Sequence, residues 1–277
     1  MHLLLRSILL VLVSLTASSL CAEESLLQLQ GDLIQGGLVF GKVAPGSTIK
    51  INDHGVRVSA NGEFVIGFGR DYPANAVLIV DSTKGDEQKH PLQIAQREYK
   101  IQRIDGLPNA QVNPDKKTLQ RRKQESKAIK LARSVDDDRI DFKAGFIWPT
   151  KGPITGVYGS QRVLNGEPRQ PHFGIDVAAP IGTAVVAPAA GVVRYADNMY
   201  FSGNTLVLDH GHRLSSSFLH LDKILVQVGD RVQQGDKIAH VGATGRVTGA
   251  HLDWRMNWHE QRIDPGLLMG ESAGSKK

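Results

Sequence analysis

Cysteine is almost absent: Cys21 stands alone in 277 residues, which excludes an internal disulfide framework and any cysteine-built zinc knuckle. Any metal site must therefore rest on His, Asp or Glu. Long apolar runs are also missing, and past the N-terminal stretch no segment reaches the roughly 20 apolar residues of a membrane-spanning helix. Aromatic residues are sparse, at 6%, and none interleaves with the densest basic stretch, which argues against stacking on single-stranded nucleic acid. The charge is nearly balanced, 33 basic against 28 acidic residues, and a formal +5 suits an anionic envelope polymer better than a specific nucleic-acid role.

What is present divides the chain into five parts. In residues 1–22, His2 and Arg6 precede an apolar run from Ser7 to Leu15 and then the small and polar Thr16 to Ser19. That order reads as a secretory signal peptide cut between Ser19 and Ala22. Leu20 directly before Cys21 is a poor match to lipoprotein processing. Losing Arg6 lowers the formal charge from +5 to +4. Residues 23–110 show short alternating segments, Ser47 to Asn52, Val56 to Ala60, Glu63 to Phe68 and Ala76 to Asp81, separated by Gly36-Gly37, Pro45-Gly46 and Asn61-Gly62. This spacing predicts a small antiparallel β-sandwich serving as a binding or spacer module, with His54 and His90 as ordinary surface histidines.

Residues 111–145 form a charged stretch of good helix formers, read as a solvated helical linker. Residues 146–268 return to strand patterns, among them Gly191 to Ala196, Asn204 to Asp209, Ser215 to Leu219, Lys237 to Val241 and His251 to Met256, punctuated by glycines. No helix-period segment is visible there. Residues 269–277 are small and polar and predict a disordered tail. The fold class is mostly β.

The candidate chemistry lies in this last large region. His172-Phe-Gly-Ile-Asp176 places an imidazole and a carboxylate four residues apart, on one face if the segment is extended. Phe218-Leu-His220-Leu adds a ring inside an apolar run, and His251-Leu-Asp253 adds a further imidazole and carboxylate on one side of a strand. Together they predict a metal site.

These blocks, with Gly203-Asn-Thr-Leu-Val-Leu-Asp-His210-Gly, Val228-Gly-Asp-Arg-Val-Gln-Gln-Gly235 and Gly242 to Gly249, resemble the LytM/lysostaphin family of zinc metallopeptidases over residues 147 to 268. The resemblance implies a C-terminal β-sheet peptidase domain with a groove and one Zn2+, cutting peptide bonds of peptidoglycan. It makes His172 and Asp176 metal ligands and His220 and His251 the catalytic imidazoles, one as proton acceptor and the other as oxyanion partner, in either assignment. His210 falls in a structural turn, and His212 reads as a surface residue.

The family closes on His-x-His, where this chain has Asp253. Asp is a competent zinc ligand and reaches about as far as an imidazole Nδ1, so Asp253 stands as the third ligand. Two carboxylates and one neutral imidazole would leave the Zn2+ site formally neutral, which predicts slower chemistry, a higher pH optimum or a harder divalent ion such as Mn2+. Two functions follow: an exported, periplasmic zinc endopeptidase acting on peptidoglycan crosslinks or stem peptides, or a catalytically weak relative that binds and activates a cell-wall amidase. Neither involves nucleic acid, nor membrane insertion once the signal is removed.

Overall fold

The computed structural model describes residues 27–83, 85–106 and 115–269; the expected signal peptide lies outside them, as does all of the expected tail except residue 269. The described chain is mostly strand. In chain order the first strands are β1 (Gln28–Gln30), β2 (Leu38–Lys42), β3 (Thr48–Ile51), β4 (His54–Val56), β5 (Glu63–Gly67), β6 (Asn75–Asp81), β7 (Glu87–Gln93) and β8 (Ile101–Ile104). The first seven build two antiparallel sheets, β1-β2-β5 and β4-β3-β6-β7. β6 shows why: its residues alternate buried and open, so Ala76, Leu78 and Val80 enter the core.

One expected strand, Val56 to Ala60, does not form. Asn52 adopts φ +51°, so the β3–β4 hairpin closes in two residues and the returning strand begins already at His54. β7 was invisible to alternation because it is a polar edge strand, Glu-Gln-Lys-His-Pro-Leu-Gln.

Helix α1 (Lys116–Ala132) follows. Asp115 caps it by accepting the Thr118 N–H at 2.7 Å. Its surface is mostly open, yet its C-terminal half lies across the mouth of the groove described below. The chain after it is pinned by charge. Arg139 and Arg194 both pair with the buried Asp209, and Arg194 reaches Asp137 at 3.1 Å.

The remaining strands are β9 (Ile154–Gly156), β10 (Gln161–Leu164), β11 (Glu167–Pro168), β12 (Ile175–Ala178), β13 (Ala184–Val186), β14 (Gly191–Met199), β15 (Gly203–Asp209), β16 (Leu214–Ile224), β17 (Arg231–Val232), β18 (Lys237–Val241), β19 (His251–Trp258) and β20 (Gln261–Ile263). The large sheet runs β17-β14-β15-β16-β19-β12-β9, with β20 on β19 and β18 joining β13 to β16. Along β19, Leu252, Trp254, Met256 and Trp258 pack into the core, while His251, Asp253, Arg255 and Asn257 share the opposite face. Full burial of side chains such as Trp254 and Phe218 is worth about 1.5–3 kcal/mol each and holds that face in register.

The two strand-rich parts are not separate bodies. Phe64, Leu78, Phe142, Trp254 and Ile263 belong to one buried cluster, and β8 pairs in parallel with β10. Gly67 lets this happen, since a Cβ there would sit 2.6 Å from Ile263 Cδ1.

Candidate metal centre

Five sequence-derived residues converge at one end of the β12–β19 pair. Asp176 and Asp253 are direct cross-strand partners, one from β12 and one from β19. His172 precedes β12; only Ile175 onward is strand, and a bend at Gly174 separates the two ligands, so the segment is not extended throughout. His172 is tied by its own backbone, donating N–H to Ser160 O at 2.9 Å and accepting from Gly159 N–H at 2.7 Å. Its Nε2 ends 3.0 Å from Asp176 Oδ1 and 3.5 Å from Asp253 Oδ2.

The residues present fit a divalent cation. His172, Asp176 and Asp253 are buried, and one ligand atom from each lies within 4.8 Å of the others. His172 Nε2 makes no hydrogen bond although it is shut off from water. Its Nδ1–H points to Val157 O at 3.3 Å, which leaves Nε2 aimed at the carboxylates. Burial lowers the His172 pKa, but the facing Asp253 and Asp176 outweigh it and raise the value to about 9. A proton and a cation thus compete for one nitrogen.

Two glycines make room. A Cβ at Gly174 would meet Asp253 Oδ1 at 2.4 Å, and one at Gly156 would meet Asp176 Oδ2 at 2.1 Å.

His220 and His251 stand beside this group with ring centroids 4.9 Å apart. His251 Nδ1–H donates to Gly249 O and His220 Nδ1–H to Thr244 O, each at 2.9 Å, so in both rings Nε2 is left as the basic atom. His251 Nε2 lies 3.8 Å from Asp176 Oδ1. Burial lowers the His220 pKa, keeping that imidazole neutral near neutral pH. His220 itself adopts φ +64° where the β15–β16 register slips between Asn204 and Leu206. This bulge re-aims the ring toward the groove.

Three charged residues escaped the sequence reading. Arg255, two positions along β19, holds Asp253 through Nε at 2.9 and 3.1 Å and through Nη2. Burial raises the Asp253 pKa, but Arg255 and His172 outweigh it and keep the carboxyl well below the usual range. Arg133 and Arg262 line the same cavity of about 980 Å³ as His220, His251 and Asp253. An Arg two residues past an Asp was the one available signal, and it is a weak one. His212 is a correction: it is buried against Phe142, with centroids 5.2 Å apart, and not at the surface. His210 is fully buried, donating Nδ1–H to Ala190 O at 2.7 Å and accepting from Ser216 at Nε2.

Two strand-borne carboxylates and the loop imidazole of His172, beside two oriented imidazoles in an open groove, form an arrangement suited to metal-dependent peptide hydrolysis. Residues 170–265 match Peptidase family M23. The chain is similar to peptidoglycan DD-endopeptidase ShyB of Vibrio cholerae, 38% identical over 130 residues, 47% of this chain and 28% of that protein. It is also similar to murein hydrolase activator NlpD of Escherichia coli, 31% identical over 119 residues, 43% of this chain and 29% of that protein. The match therefore spans under a third of the length of either relative. A crystal structure of an M23-family protein from Pseudomonas aeruginosa superposes with a TM-score of 0.68 at 26% identity, covering 86% of this chain and 96% of that one. That likeness reaches beyond the peptidase domain into the N-terminal sheets. Among the described residues no helix is long and apolar enough to cross a membrane.

Proposed function

We propose that this protein is an exported, zinc-dependent endopeptidase that hydrolyses peptide bonds of peptidoglycan crosslinks or stem peptides. One observation carries the reading: His172, Asp176 and Asp253 present their ligand atoms to one point, with His220 and His251 beside it. A relative that had surrendered catalysis would have no reason to keep two imidazoles oriented by backbone carbonyls next to that point.

Bound by these three residues, a divalent ion would supply Lewis acidity, polarising a peptide carbonyl and acidifying water. The protein's own part is acid–base work. Nε2 of His220 or of His251, in the neutral ring, accepts the proton of the attacking water, and the other ring, protonated on both nitrogens, donates Nε2–H to the oxygen of the peptide carbonyl as charge develops there. The fixed Nδ1–H bonds turn Nε2 of each ring to the groove, where it accepts a proton in the neutral ring and donates one in the protonated ring. Arg255 changes the charge argument made from sequence. Its guanidinium offsets Asp253, so Zn2+, Asp176, Asp253 and Arg255 together return the site to +1. A neutral, sluggish centre is no longer the expectation.

A second reading is supported by the likeness to a murein hydrolase activator: a domain that binds and stimulates a cell-wall amidase. Incubating purified peptidoglycan with the protein alone and with an amidase separates them. Soluble peptide-linked products from the protein alone support the endopeptidase. Products only when the amidase is present move the function to activation.

A further inference from the structure

Beyond Asp253, the groove-facing side of β19 continues to Arg255 and Asn257. Ser217 of β16 is the cross-strand partner of Arg255, and Arg262 of β20 that of Asn257. Arg133, the residue that caps the C-terminus of α1, reaches down from the helix and donates Nη2–H to Ser217 Oγ at 2.8 Å. Arg262 donates Nη1–H to Asn257 Oδ1 at 3.1 Å. Two guanidinium groups from different elements therefore meet over one stretch of groove floor, and each holds only a neutral partner.

Such a cluster is costly unless it faces an anion. Arg133 Nε is closed off from water and makes no hydrogen bond. Among the described residues neither Arg133 nor Arg262 has a carboxylate in ion-pair contact; Asp253 is held by Arg255, and Glu260, the other acid facing them, is paired with Lys130 at 3.5 Å. Burial and the repulsion of Arg262 and Arg255 push the Arg133 pKa well down, and burial with the repulsion of Arg255 brings Arg262 to about 10. Half-buried guanidinium groups facing an open groove, one of them with a donor unused, are a setting that favours a bidentate carboxylate.

We propose that Arg133 and Arg262 form a carboxylate-binding subsite in the groove, which takes an acidic group of the substrate peptide and makes the end of α1 part of the substrate site. Strand geometry sets the spacing. Arg255 lies two residues and Asn257 four residues from Asp253, about 7 to 14 Å along β19. An extended peptide covers that distance in two to four residues, so the bound carboxylate belongs to a residue that far from the bond presented to the metal centre. Arg133 lies outside residues 170–265, and the linker thereby supplies a specificity element that the peptidase domain alone lacks. The inference rests on reading the groove as a peptide-binding site.

The test is calorimetric binding of a synthetic tetrapeptide with a free C-terminal carboxylate and of its C-terminal amide to the full chain in the presence of chelator, so that no turnover is needed. The carboxylate form should bind roughly 10- to 100-fold more tightly than the amide. Arg133→Gln and Arg262→Gln should each collapse that ratio to within about twofold, with Arg133→Lys intermediate because it keeps the charge and loses the fork. Lys127→Gln, on the same helix but away from the cavity, should keep it. Equal binding of the two peptides by the unaltered protein overturns the proposal, as does a ratio that survives both substitutions. If a variant fails to fold, the acid-to-amide comparison on the unaltered chain and the other variant still decide. A carboxylate preference without peptidoglycan cleavage would leave the subsite standing and remove the peptidase reading; cleavage without the preference would do the reverse.

Discussion

Asp176 and Asp253 sit directly opposite each other in the antiparallel register of β12 and β19, two acidic side chains on neighbouring strands with His172 Nε2 between them. Like charges directly opposite destabilise a sheet, and here Arg255 offsets one carboxylate while a cation, whether a proton on His172 or a metal ion, offsets the pair. Zinc should therefore stabilise the fold. At free metal about 100-fold above Kd the gain is about 2.7 kcal/mol. For a chain of this size that is roughly 5–10 °C in Tm. Asp253→Ala should abolish the shift. A shift that persists in this variant would place the metal elsewhere.

The glycine between the first two ligands is there for space. Gly174→Ala would press a methyl group onto Asp253 Oδ1 and the Trp254 carbonyl, at 2.4 and 2.7 Å. The expected result is a metal Kd raised by about tenfold or more through ligand misplacement. Gly55→Ala, where a Cβ meets open space, is the control and should leave the affinity alone.

Arg255 and Asp253 should behave as one unit. Arg255→Met leaves an uncompensated carboxylate on the metal, and Asp253→His leaves a guanidinium facing an imidazole. Each should lower kcat/KM. The double variant should recover activity, with a coupling free energy of about 1–3 kcal/mol. Losses that simply add would separate Arg255 from the charge of the site.

Acid stability should carry the mark of two histidines, the fully buried His210 and the half-buried His259. Burial lowers His210 and His259 to about 4 from an ordinary 6.5. The unfolded chain then takes up protons first as pH falls, so stability drops between about pH 6.5 and 4, by up to about 3 kcal/mol for the fully buried His210. Glu63 acts in a lower window: Lys143 and Ser59 hydrogen bonds bring it to about 2, so its contribution is present above pH 4.5 and is lost toward pH 2. Denaturation of His210→Gln as a function of pH should be flatter between pH 4 and 6.5 and unchanged below.

The candidate metal centre was legible because its residues fall in short ordered blocks, His172 to Asp176, His220, and His251 to Asp253, which the structure brings together. Strand patterns worked where one face is buried, as in β18 and β19, and failed for the polar β7 and for the hairpin that Asn52 tightens. The re-aiming of His220 by a bulge is a matter of register, which no single strand encodes. Arg133 and Arg262 were not legible, because each is an ordinary basic residue until α1 and β20 bring them over one floor. The same holds for Arg255, whose meaning depends on which way Asp253 points.

The most direct test is digestion of purified peptidoglycan by the protein alone, after chelation and after zinc is restored, with the new chain ends identified. The account predicts zinc-dependent release of fragments bearing new amino and carboxyl termini within the peptides. Release that ignores the chelator, or no new peptide termini at any zinc level, would contradict it.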